Sequence, residues 1–110
     1  MQSSTETISL HEAAKQGDIT SLTALLAAGK DVDDLDEKDA TVLMIAAENG
    51  HTEAVKLLLL REANPNIQEP TGWTALHIAA NGGHTEIVKL LVDKGADLNQ
   101  QIKKDSTALM

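Results

Sequence analysis

Few side chains in this 110-residue sequence could do chemistry, and they are scattered. The absence of cysteine excludes disulfides, thiol nucleophiles and cysteine-based zinc sites, and it fits a reducing compartment. The serines stand in no nucleophile-elbow pattern. Gly82-Gly83 lacks the flanking residues of a phosphate-binding loop. The four histidines, His11, His51, His77 and His84, do not form the close spacing that a zinc site requires, so they read as structural. The sharpest local feature is the acidic run Asp31, Asp33, Asp34, Asp36, Glu37 and Asp39. As a calcium loop it fails, because Asp36 and Val42 stand where the sixth-position Gly and twelfth-position Glu belong. It reads instead as a solvated loop or as a patch that steers a basic partner. Trp73 is the other singular residue: the chain has one Trp and no Phe or Tyr. No catalytic residue, metal site or cofactor is expected.

The elements that must position these residues are set by a repeat. Leu10, Leu43, Leu76 and Leu109 stand 33 residues apart. Ala13, Ala46 and Ala79 keep that step, as do Ala14, Ala47 and Ala80, and Gly17, Gly50 and Gly83. A period of this length, sought before any secondary structure, points to a solenoid. Each unit reads as two short helices and a loop. In the third, Thr74 caps a helix over 75–81, with Leu76, Ala79 and Ala80 on one face. Gly82-Gly83 breaks it. A second helix over 86–94 turns Ile87, Val88, Leu90 and Leu91 inward, and Gly95 ends it. Residues 96–104 form an extended connection. The paired alanines allow close approach of neighbouring units, and stacking makes the core that one helix pair cannot bury alone.

The string Gly72-Trp73-Thr74-Ala75-Leu76-His77-Ile78-Ala79-Ala80 resembles the ankyrin signature G-x-T-P-L-H-x-A-A. Gly83-His84-Thr85-Glu86-Ile87-Val88-Lys89-Leu90-Leu91 and Gly95-Ala96-Asp97-Leu98-Asn99 are similar to the rest of that unit. The second repeat carries Gly50-His51-Thr52-Glu53 and Ala63-Asn64-Pro65-Asn66; the first carries Leu10-His11-Glu12-Ala13-Ala14 and Gly17-Asp18. The resemblance implies an all-α ankyrin-repeat solenoid, helix-turn-helix pairs joined by β-hairpin-like loops. Its units are an N-terminal extension at 1–7, repeats at 8–39, 40–72 and 73–105, and the start of a fourth at 106–110. It implies hydrogen-bonding roles for His51 and His84 at the turns between helices. The family's Pro is replaced by Val42, Ala75 and Ala108. Ile8 stands for Thr, and Met44 and Met110 for His, which leaves Thr74–His77 as the one Thr–His contact.

Thr20, Ser21 and Thr23 make the first repeat wetter, as a terminal cap should be. The stop after Met110 would leave the apolar face of the third repeat open, with Leu90, Leu91 and Val92 nearby, so a fragment of a longer array is expected, with a natural end as the alternative. The net charge of −8 argues against nucleic acid and anionic membrane as partners. The first nine residues show no signal peptide, and the longest apolar run, Leu57 to Leu60, cannot span a bilayer.

By the same resemblance, a partner protein is expected on the concave surface formed by the hairpin tips and first helices. That places Glu37, Lys38 and Ala40 in the first hairpin, Thr71 and Trp73 in the second, and Lys103, Lys104 and Ser106 in the third. Lys15, Gln16, Glu48, Asn49, Asn81 and Gly82 come from the first helices. Trp73 is the expected anchor, worth about 2 kcal/mol when truncated; the competing reading has its ring covering the neighbouring repeat. The hairpins grade from acidic near Asp36 to basic at Lys103 and Lys104, which would orient a partner, one with a basic patch facing the Asp31–Asp39 loop. The sequence thus reads as a monomeric, non-catalytic interaction module in the cytoplasm or nucleus, with export into a host cell left open. The alternative is a regulatory or recruiting segment of a larger enzyme or pathogen effector.

Overall fold

The computed structural model describes residues 8–97. Six helices alternate between seven and nine residues: α1 (Leu10–Gln16), α2 (Ile19–Ala27), α3 (Val42–Glu48), α4 (Thr52–Leu60), α5 (Ala75–Asn81) and α6 (Thr85–Asp93). The short helices α1, α3 and α5 pack side by side as an inner layer, and α2, α4 and α6 form an outer layer behind them. Aliphatic residues fill most of the space between the layers, joined in the buried set by Met44, Thr41 and Thr74. Leu22, Leu43, Leu58, Ile87 and Leu91 are fully enclosed, and Ala13, Ala14, Ala46, Ala47 and Ala79 have no accessible surface. A methyl group is all that fits where successive inner helices touch, which accounts for the alanine pairs.

The helices of one pair are joined by a glycine turn that also ties one repeat to the next. After α3, the Gly50 N–H donates to the Ala47 carbonyl and the His51 N–H to that of Ala46, closing a left-handed cap with φ +70° at Gly50. The ring of His84, one repeat on, lies against this glycine, and a Cβ added there would stand 2.9 Å from His84 Cε1. His51 lies against Gly17 in the same way, with its Nε2 3.0 Å from the Lys15 carbonyl. Neither histidine caps its own helix with its side chain, whereas Asp18 at the equivalent position does. The backbone N–H and hydroxyl of Ser21 both donate to the Asp18 carboxylate and hold its carboxyl below the usual range.

A second polar ladder runs along the loops. The Asn64 N–H donates to Asp33 Oδ1 at 2.8 Å and, one repeat later, the Asp97 N–H donates to Asn66 Oδ1 at 2.7 Å. The first inter-repeat loop closes with an antiparallel bridge between Leu35 and Thr41. The Asp36 N–H donates to the Ala40 carbonyl, and at the same register the Glu69 N–H donates to that of Trp73.

Several expectations are corrected in detail. The last helix is Thr85–Asp93, one residue earlier than 86–94, because the backbone of His84 begins it. Near the open face of the third repeat, Leu91 is buried, Leu90 is half-buried and Val92 is 38% exposed. Ala80 is exposed, unlike Ala14 and Ala47, because no inner helix beyond α5 lies among the described residues to cover it. Where Ile8 stands for Thr, Ser9 takes over the cap and accepts from the Glu12 N–H. Where Met44 stands for His, its sulfur lies 3.4 Å from the Thr41 nitrogen and accepts that N–H, while Thr41 Oγ1 accepts from the Met44 N–H.

Candidate functional site

The concave side holds two grooves, one at each junction between described repeats. Their volumes are about 390 and 380 Å³, so they differ in side chains and not in size. The first is lined by residues that include His11, Glu12, Lys15, Asp36, Glu37, Lys38 and Ile45. The second is lined by Glu48, Glu69, Trp73, Ile78, Asn81 and Gly82. Corresponding positions make the comparison direct: Lys15 becomes Glu48, Asp36 becomes Glu69, Ala40 becomes Trp73 and Ile45 becomes Ile78.

In the second groove Trp73 leaves the hairpin one residue before the cap of α5. Its indole packs against the His77 ring, with centroids 5.9 Å apart and planes at 59°. That ring is fixed from the other side, since the Thr74 N–H donates to His77 Nδ1 at 3.0 Å and Thr74 Oγ1 lies 2.9 Å from it. The tryptophan is therefore half-buried, leaning on its own repeat while still lining the groove. The expected cover over the neighbouring repeat is replaced by a ring contact with His77 of its own repeat.

The acids of the two hairpins are used differently. Asp36 Oδ1 accepts from the backbone N–H groups of Lys38 and Ala40. Burial raises its carboxyl, but these bonds and the positive charges of His11 and Lys38 outweigh that and hold it below the usual range. Its neighbours in the acidic run are also committed: Asp31 accepts from the Asp33 N–H, and Asp33 from that of Asn64. Much of that run thus serves the loop's own backbone. Glu69 is longer by one methylene and accepts only from the Thr71 hydroxyl among the described contacts. Glu48 is exposed at the end of α3 and forms no salt bridge among the described residues.

Of the expected contact residues, Glu48, Trp73, Asn81 and Gly82 meet in the second groove, and Lys15, Glu37 and Lys38 meet in the first. Ala40 is half-buried between Asp36 and Thr41, Thr71 is tied to Glu69, and Asn49 turns its amide back onto the Ile45 carbonyl. Gln16 is exposed and donates to Glu12 Oε2. Lys103, Lys104 and Ser106 lie outside the described residues, and so does the basic end of the hairpin gradient. Sequence reasoning missed Glu69 and Ile78. Both could have been found by carrying the 33-residue register from Asp36 and Ile45 into the next repeat.

Among the described residues no group of His, Asp or Glu side chains is arranged to hold a metal ion, and no helix is long and apolar enough to cross a membrane.

The family description "Ankyrin repeats (3 copies)" matches residues 10–110. The chain is 43% identical to Cortactin-binding protein 2 of Ornithorhynchus anatinus over 61 residues, covering 54% of this chain and 4% of that protein. It is 42% identical over 57 residues to Ankyrin repeat domain-containing protein 29 of Homo sapiens, covering 51% of this chain and 19% of that one. Over 49 residues it is 47% identical to Ankyrin repeat protein nuc-2 of Neurospora crassa, covering 44% and 5%. The chain thus spans a small part of the length of these relatives. With the inner and outer helix layers, the glycine–histidine turns and this match over nearly the whole sequence, the chain belongs to the ankyrin repeat family, whose repeats are protein–protein interaction modules and typically non-catalytic.

Proposed function

We propose that this chain docks a partner protein on its concave side, with the groove at the junction of the second and third repeats as the principal contact. The observation that carries this reading is the half-buried Trp73, held by His77 and lining a groove with Ile78, Glu48 and Asn81. An aromatic residue fixed by its own repeat gives contact area with little ordering cost, which is the character of a binding hot spot. One relative is named for binding cortactin, and that name supports a protein as the class of partner here, without saying which.

The test is paired affinity capture with the intact chain, its Trp73→Ala variant and its Leu60→Ala variant on the outer layer, after circular dichroism shows equal helix content. Leu60 is 68% exposed and serves as the control for loss of an apolar surface residue. A protein retained by the parent and by Leu60→Ala but lost by Trp73→Ala supports the reading. A protein retained equally by all three moves the contact off this groove. The reading of a segment that recruits substrates for a larger protein uses the same surface, and no separate observation favours it.

A further inference from the structure

The two grooves have nearly the same size and a common backbone pattern but differ in which charged and aromatic groups line them. The first mixes the cations Lys15 and Lys38 with the carboxylates of Glu12, Asp34, Asp36 and Glu37, and Asp36 is occupied by backbone N–H groups. Among the described residues the second has no Lys or Arg in its lining. Its lining brings the carboxylates of Glu48 and Glu69 together with an aromatic ring and an isoleucine. An acid-rimmed apolar cleft favours a flat, delocalised cation over any neutral side chain. A guanidinium can lie over an indole face and still donate to carboxylates at its edge, whereas an ammonium is compact and more strongly hydrated.

We infer that the groove formed by Trp73, Glu48, Glu69 and Ile78 is a subsite for one arginine side chain of the partner protein. This rests on the docking reading above and specifies its chemistry. The guanidinium stacks on the outward part of the indole, the Glu48 and Glu69 carboxylates accept its N–H groups, and the arginine methylenes lie along Ile78. Ala40 at the position of Trp73 denies the first groove the ring, and Lys15 at that of Glu48 puts a cation where the second groove has a carboxylate.

Because Trp73 is the only tryptophan, its emission reports on this groove alone. The intact chain is titrated with acetyl-Gly-Arg-Gly-amide and with the same tripeptide carrying citrulline, a neutral isostere of arginine. The expected result is a saturable change in emission with the arginine peptide and a response roughly tenfold weaker with citrulline. The Glu48→Gln and Glu69→Gln variants, checked for unchanged helix content, bring the two peptides closer together, and added salt weakens the arginine response. Equal titration by the two peptides, or no saturable response to arginine, overturns the inference. Partner capture that depends on Trp73 but shows no arginine preference also overturns it, and leaves the docking reading intact.

Discussion

The grooves at the first and second repeat junctions are built on one backbone pattern and can be compared at four positions in register: Lys15 against Glu48, Asp36 against Glu69, Ala40 against Trp73, and isoleucine in both at Ile45 and Ile78. The last pair preserves the apolar floor. The other three change what each groove can hold. In the first, the hairpin acid is short enough to fold back and accept from Lys38 and Ala40, so its charge is used for local structure. In the second, Glu69 accepts from the Thr71 hydroxyl and lines the groove. The difference shows how a repeat protein can vary recognition without disturbing its frame, because the groove positions lie outside the shared core of Leu, Ile and Ala.

The largest expected effect concerns the joint beneath both grooves. Gly17→Ala and Gly50→Ala each force a side chain into a left-handed backbone and against the histidine ring of the next repeat, 2.7 and 2.9 Å away. Each should lower stability by about 2–3 kcal/mol in urea denaturation. Gly83→Ala has the same backbone sign, at φ +75°, but nothing within 4 Å of its added Cβ, and should cost about 1 kcal/mol. Equal losses at all three would show that backbone strain alone matters and that the histidine contact contributes nothing.

Next in size is transfer of recognition. Trp73→Ala should weaken partner binding by about 2 kcal/mol. The double variant Lys15→Glu with Ala40→Trp should give the first groove a measurable preference for the arginine tripeptide over citrulline, of about 1 kcal/mol. If Trp73→Ala is also introduced, emission comes from residue 40 only. Failure of the transplanted pair would mean that Glu69, absent from that exchange, carries the selectivity.

How much of this was legible in the sequence follows from the same register. The 33-residue step placed α5 at its observed bounds and put the paired alanines in the core, because packing of successive helices admits only small residues there. Ala80 departed from that pattern because burial depends on which element lies opposite, which periodicity does not report. Trp73 was singled out by composition and by its place in the second hairpin, but its rest against His77, four residues on, depends on the turn geometry at Thr74. The acidic run was visible as charge, while its use in backbone hydrogen bonds depended on turn geometry that the composition of the loop does not encode.

Smaller effects separate the two hairpins. The Asp36 carboxyl is held below its ordinary 3.8, so its folded value lies below the unfolded one. Its contribution to stability is then present above the unfolded value and is lost as pH falls through the folded one. Asp36→Asn should flatten that acid limb of the stability profile, measured by thermal melts across pH 2 to 5, an acid window of about that width. Met44→His should restore a stronger acceptor for the Thr41 N–H and raise the melting temperature by about 2–4 °C, for a gain of about 0.5 kcal/mol.

The central claim, that the concave side is where a partner binds, is tested most directly by site-specific photo-crosslinking. A photoreactive residue is placed at Asn81, exposed in the second groove, and in a separate protein at Lys89, exposed on the outer helix α6. Irradiation in lysate from the source cell should give a defined adduct from residue 81, abolished by Trp73→Ala, and none from residue 89. An adduct from residue 89 with none from residue 81 would contradict the account and put the binding surface on the outer layer.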